Sequence, residues 1–177
     1  MRRLILVVMA VFVLSGCDSG NRNRAKSVYD RELKPGKPAV DFLYPDMEGN
    51  QFRLSEKKGS VVILYFWRMK CPECKDGMPS LDALNRRFKD RGLIVVAVGA
   101  DTMHSAPIGD VREFLEKNRL GFVDIRDDEG FVSEAYQVLR TPHAFIIDKN
   151  GMIADVIEGK HDWMGEKTVN GIERLLK

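Results

Sequence analysis

The sequence predicts one α/β domain in three layers, helices on both faces of a central mixed β-sheet, and three observations carry that expectation. Residues 61–67 and 93–98 are apolar runs rich in β-branched and aromatic side chains, the pattern of strands buried on both faces. Between them Met78, Leu81, Leu84 and Phe88 recur at helical spacing, so strand, helix and strand make a crossover unit with parallel strands. Further on, residues 144–147 and 152–157 flank Asp148-Lys149-Asn150-Gly151, where Asn-Gly supplies the positive φ angles of a tight hairpin and so demands an antiparallel pair. A length of 177 residues, 44% hydrophobic and 31% charged, suits one globular domain and excludes a disordered chain or a multi-span membrane protein.

The first elements lie outside that domain. Arg2 and Arg3 precede an apolar run over residues 4–14, too short for a bilayer core that needs about 20 residues, and the whole reads as a secretory signal. Leu14-Ser15-Gly16-Cys17 resembles a bacterial lipobox, which implies that residues 1–16 are removed and that the Cys17 sulfur receives a diacylglycerol. An ordinary cleavage site beside a chance thiol, or an uncleaved anchor, are the alternatives, and each places the domain outside the cytoplasm. Asp18 resembles the signal that keeps some Gram-negative lipoproteins at the inner membrane, so in a Gram-negative cell the periplasmic face of that membrane is expected. Residues 17–33 are polar and without apolar period, a tether reaching roughly 20 to 25 Å; residues 34–177 form the domain. The formal charge of +2 is carried by Arg2 and Arg3 alone, so the mature chain is balanced and has no basic character to suit nucleic acid.

Within the domain, residues 39–44 and 51–54 suggest a short hairpin about the turn at residues 46–50. A helix is expected from Pro72 to Asp90, stopped by Gly92. Asp110 and Glu113 look like a capping box for a helix running to Asn118, with Val111, Phe114 and Leu115 inward. A strand over residues 122–125, a helix over 129–138 and a last amphipathic helix carrying Val169, Ile172 and Leu176 complete the order.

The chemistry is concentrated in Phe66-Trp67-Arg68-Met69-Lys70-Cys71-Pro72-Glu73-Cys74, where a buried strand delivers two thiols to a helix start. The positive end of the helix favours a thiolate at Cys71, and Arg68, Lys70 and Lys75 push the same way. Cys71 is the expected attacking thiol and Cys74, deeper in the helix, the resolving one. If Cys17 carries lipid, the three cysteines leave no odd thiol.

These residues resemble the membrane-tethered, extracytoplasmic thioredoxin-like proteins of the TlpA/ResA type, which share a redoxin core with peroxiredoxins. Besides the Phe66-Trp67 strand end and the Cys71/Cys74 motif, Met78-Pro79 falls where that family kinks its active-site helix, and Thr141-Pro142 precedes a strand. The resemblance implies a cis peptide before Pro142, a substrate-pairing backbone at Thr141, and an added strand and helix between Val98 and Thr141. It further implies disulfide exchange with clients such as apocytochrome c or copper-site assembly factors, and a membrane thiol donor. No cofactor or metal is expected, and the protein is expected to be monomeric. Two positions depart from the family, Lys70 where a tryptophan usually precedes the first cysteine and Tyr65 where thioredoxins bury an acid; Glu73, within the motif, is then the candidate for proton transfer. Trp67 is expected in the core beneath the dithiol and Trp163 as a C-terminal packing anchor.

Two other chemistries are conceivable. A Cu(I) chaperone would use both thiolates with His143 or His104, although copper factors of the Sco type separate their cysteines by three residues rather than two. A thiol peroxidase would need a threonine three residues before the reactive cysteine, where this chain has Arg68. Gly99-Ala100-Asp101 follows a strand, but without a glycine fingerprint it predicts no nucleotide site.

Overall fold

The computed structural model describes residues 31–102 and 104–177. The signal, Cys17, and the tether up to residue 30 therefore lie outside the described residues. A five-stranded sheet has the order β5-β4-β3-β6-β7, with β3 (Val61–Trp67), β4 (Leu93–Gly99), β5 (Val123–Arg126), β6 (His143–Ile147) and β7 (Ile153–Glu158). β3, β4 and β5 are parallel; β6 pairs antiparallel with both β3 and β7. A separate small hairpin joins β1 (Leu43–Pro45) to β2 (Gln51–Arg53), both shorter than the sequence suggests.

Every residue of β3 is buried, and its alternation divides the core. Val61, Ile63, Tyr65 and Trp67 face α1 (Pro72–Phe88), α2 (Ile108–Lys117) and α4 (Glu166–Leu176), whereas Val62, Leu64 and Phe66 face α3 (Phe131–Ala135) and the N-terminal hairpin region. Each fully buried aliphatic or aromatic side chain is worth about 1.5–3 kcal/mol, so this central strand is the most costly element to perturb. In α1, Met78, Leu81, Leu84 and Phe88 are all fully buried, the stripe that the periodicity predicts. The helix ends in a 3₁₀ turn, Lys89–Arg91, and Gly92 at φ 96° turns the chain so that its carbonyl accepts from Val61 N–H, 2.9 Å away.

Several boundaries move. α2 begins at Ile108 after Pro107, so Asp110 lies inside its first turn and the expected capping box does not form. The fixed φ of Pro107 starts the helix three residues earlier than the side-chain pattern implies. β5 is shifted by one residue to Val123–Arg126. The helix expected over residues 129–138 is only Phe131–Ala135, because Gln137 takes φ 53°; Asp127 rather than a residue at the helix start satisfies the N–H groups of Val132 and Ser133. At the β6–β7 turn only Gly151 has positive φ. Gly151 N–H donates to Asp148 O and Asp148 N–H to Met152 O, a turn followed by a bulge rather than a two-residue Asn-Gly turn.

The segment before β3 spans both rims of the sheet. Gly36 and Ala39 donate to Ile153 O and Gly151 O, and Ile153 donates to Lys37 O, along the outer side of β7; Met47 donates to Asp124 O on the outer side of β5. Tyr136 Oη, donating to Val40 O at 2.8 Å, holds the stretch between. Among the described residues no helix is long and apolar enough to cross a membrane.

Candidate active site: a disulfide at a helix start

β3 ends at Trp67, and a three-residue loop delivers Cys71 to the cap position of α1 in an extended conformation. Pro72 follows at the first helical position, where its missing N–H has no intrahelical partner to lose and its fixed φ suits the helix. Cys71 Sγ accepts from Cys74 N–H at 3.2 Å, so the sulfur sits on the free N–H groups at the positive end of the helix. The two sulfurs form a disulfide. Their exposure differs in the sense expected of an attacking and a resolving thiol: Cys74 is fully buried and Cys71 partly exposed.

From the neighbouring β6 side, Thr141 O lies 3.6 Å from Cys71 Sγ. The Thr141–Pro142 peptide is cis, as the resemblance implies, and Pro142 is buried. A groove of about 640 Å³ starts here, lined by Glu73, Leu139, Arg140, Thr141, His143 and Glu158 among others. Glu73 is exposed in the first turn of α1, at the rim of this groove. Trp67 is buried at 1% exposure with its ring 5.7 Å from Phe114, so it supports the site from within the core rather than offering a contact surface. Arg68 and Lys70 are solvent-exposed, and Lys75 Nζ stands 5.9 Å from the Phe114 ring centroid.

Two supporting contacts are not evident from the motif. Asp101, at 4% exposure, accepts from Met69 N–H and from Ser105 Oγ, and thereby ties the loop before Cys71 to the end of β4. Its sequence signal, an Asp after Gly99-Ala100, has this structural use and no phosphate-loop geometry. Tyr65 Oη donates to Cys74 O at 2.9 Å, and burial, with Glu73 nearby, pushes its hydroxyl well above the ordinary phenol range. The position that carries a buried acid in thioredoxins thus holds a neutral donor.

Of the three histidines, His143 borders the groove at Thr141. His143 stacks on Phe145, ring centroids 4.8 Å apart, on the sheet face away from α1; its Nε2 is buried without a partner, and burial lowers its pKa. His104 is exposed, and His161 Nε2 bonds Thr168 Oγ1 at 2.9 Å. Among the described residues no cluster of three or more His, Cys, Asp or Glu could hold a metal ion. Trp163 is buried edge-on to Tyr65, the anchor role expected for it.

A Cys-x-x-Cys disulfide opening a helix, faced by a cis-proline at the start of the adjacent antiparallel strand, on this sheet order, defines a thioredoxin-like thiol–disulfide oxidoreductase. The chain belongs to the AhpC/TSA family, whose model matches residues 35–156. It is 30% identical to thiol-disulfide oxidoreductase ResA of Bacillus cereus over 99% of this chain and 95% of that protein. To ResA of Geobacillus kaustophilus it is 35% identical over 70% of this chain and 69% of that protein. Among solved structures, a candidate thiol:disulfide interchange protein DsbE from Chlorobium tepidum superposes with a TM-score of 0.73 at 32% identity, covering 82% of this chain and all of the other. StoA from Bacillus subtilis superposes with a TM-score of 0.64 at 25% identity, over 77% of this chain and 98% of that one.

Proposed function

We propose that the protein reduces disulfides in client proteins outside the cytoplasm, held to the membrane by lipid on Cys17 through the tether of residues 17–33. The observation that carries the reading is the asymmetry of the pair, a partly exposed Cys71 on the positive end of α1 against a fully buried Cys74. In the reduced form the Cys71 thiolate attacks a client disulfide, forming a mixed disulfide and releasing one client thiolate, which takes a proton from water. Cys74, deprotonated, then attacks Cys71 Sγ, and the second client thiol leaves as the Cys71–Cys74 disulfide closes. Two electrons pass to the client, and a membrane thiol donor restores the dithiol. Thr141 would pair with the client backbone beside Pro142, while Lys70 and Glu73 flank the client on opposite sides of Cys71 in the motif. The names of the relatives support the exchange chemistry; the family resemblance suggests apocytochrome c or copper-site assembly factors as clients.

The test is the reduction potential of the Cys71/Cys74 couple, equilibrated against defined thiol buffers. A value near that of thioredoxin, about −270 mV, is expected for a reductant. A value near that of DsbA, about −120 mV, would reverse the direction and point to clients that gain disulfides.

A further inference from the structure

The geometry points to Tyr65 as a positioning residue for the dithiol: its hydroxyl fixes the Cys74 backbone so that Cys74 N–H stays on the Cys71 sulfur, and so favours the Cys71 thiolate. This rests on the exchange role assigned above to Cys71 and Cys74. Tyr65 rises from β3 directly beneath the first turns of α1, at 2% exposure. Its ring is held edge-on by Trp163, centroids 5.9 Å apart at 84°. The hydroxyl meets Cys74 O at 2.9 Å while the same residue's N–H meets Cys71 Sγ at 3.2 Å, so Cys74 is clamped at both ends of its backbone.

Two features of α1 fit this role. Pro79 has no N–H for the carbonyl of Lys75, four residues earlier, and weakens the helix one turn past the dithiol, where outside support has most effect. Gly77 keeps the approach open, since a Cβ there would stand 3.3 Å from Tyr65 Oη and 3.8 Å from Trp163 Nε1. A glycine inside a helix is unfavourable by itself, and here it admits the hydroxyl. Engaged as a donor and held neutral by burial, Tyr65 does not replace the buried acid as a proton acceptor; it replaces it as a fixture.

The test is Tyr65→Phe in the full chain, which keeps the ring and removes the bond. Loss of one neutral hydrogen bond that acts on the thiolate makes reduction up to about five-fold less favourable, moving the potential about 20 mV more negative. The Cys71 thiol pKa, read from thiolate absorbance, rises with it. A bond that merely holds the fold would destabilise the oxidised and reduced forms alike and leave both readings unchanged, and that result overturns the inference. Gly77→Ala, which crowds the hydroxyl without deleting it, is expected to shift the potential the same way, and to lose that effect when combined with Tyr65→Phe. Independent, additive effects of the two substitutions would also overturn it. A protein in which Cys71 and Cys74 exchange with no thiol buffer would instead refute the exchange role, and is read separately from an unmoved potential.

Discussion

Asp124 offers a prediction whose size follows from the structure. The residue lies on β5, against the N-terminal hairpin, with Oδ1 buried and without a hydrogen-bond partner. Burial, with Glu48 and then Asp46 close by, pushes its carboxyl up from the ordinary 3.8 to about 8. Across that window the unfolded chain has released the proton and the folded one still holds it. Stability therefore falls as pH rises, by up to about 1.4 kcal/mol per pH unit, and the loss is complete once pH passes the folded value. Summed from the unfolded value to pH 7 the cost approaches about 4 kcal/mol, an upper limit because the short β1–β2 hairpin can open before the whole domain does. Asp124→Asn removes the charge that must be suppressed. Urea unfolding of both proteins between about pH 5 and pH 8 should show the wild type losing stability relative to the variant as pH rises, the gap widening toward alkaline pH. Parallel curves for the two proteins would refute the reasoning.

Three further outcomes are expected. Cys71→Ser should abolish exchange with any disulfide, whereas Cys74→Ser should accumulate a client mixed disulfide detectable by mass, since the resolving thiolate is gone. Asp101→Asn leaves one acceptor where two are used, at Met69 N–H and Ser105 Oγ; it should slow exchange by loosening the loop before Cys71 and cost about 1–3 kcal/mol in chemical unfolding. Asp127→Ala strips both acceptors from the first turn of α3 and should cost about 1–2 kcal/mol, seen as a lowered Tm with the reduction potential unmoved.

What could be read from the sequence was what the chain encodes locally. The buried runs of β3 and β4, the stripe of α1 and the thiols at its start are patterns within a few residues, and Pro79 and Pro142 carried recognisable contexts. Asp101 and Tyr65 escaped as site residues because their partners, Met69 and Cys74, are fixed by sheet register rather than by spacing. The capping box at Asp110 failed because Pro107 set the helix start first, and α3 shortened because Gln137 leaves helical φ for a reason that no local pattern announces. His143, a possible ligand in the copper-chaperone alternative, follows Pro142, and strand alternation turns its ring away from α1 and against Phe145.

The chain leading into the sheet also governs how one molecule meets another. An open sheet has two rims of unpaired backbone, each a template on which another strand can dock and seed aggregation. Residues 36–39 pair with the outer side of β7 where it begins, and Asp46 and Met47 with the outer side of β5. On β7 beyond that cover stand Asp155 and Glu158, exposed charges that deter an incoming strand. One continuous stretch, residues 36–47, thus guards both rims, and severing it would leave two open edges on which neighbouring molecules can dock strand to strand.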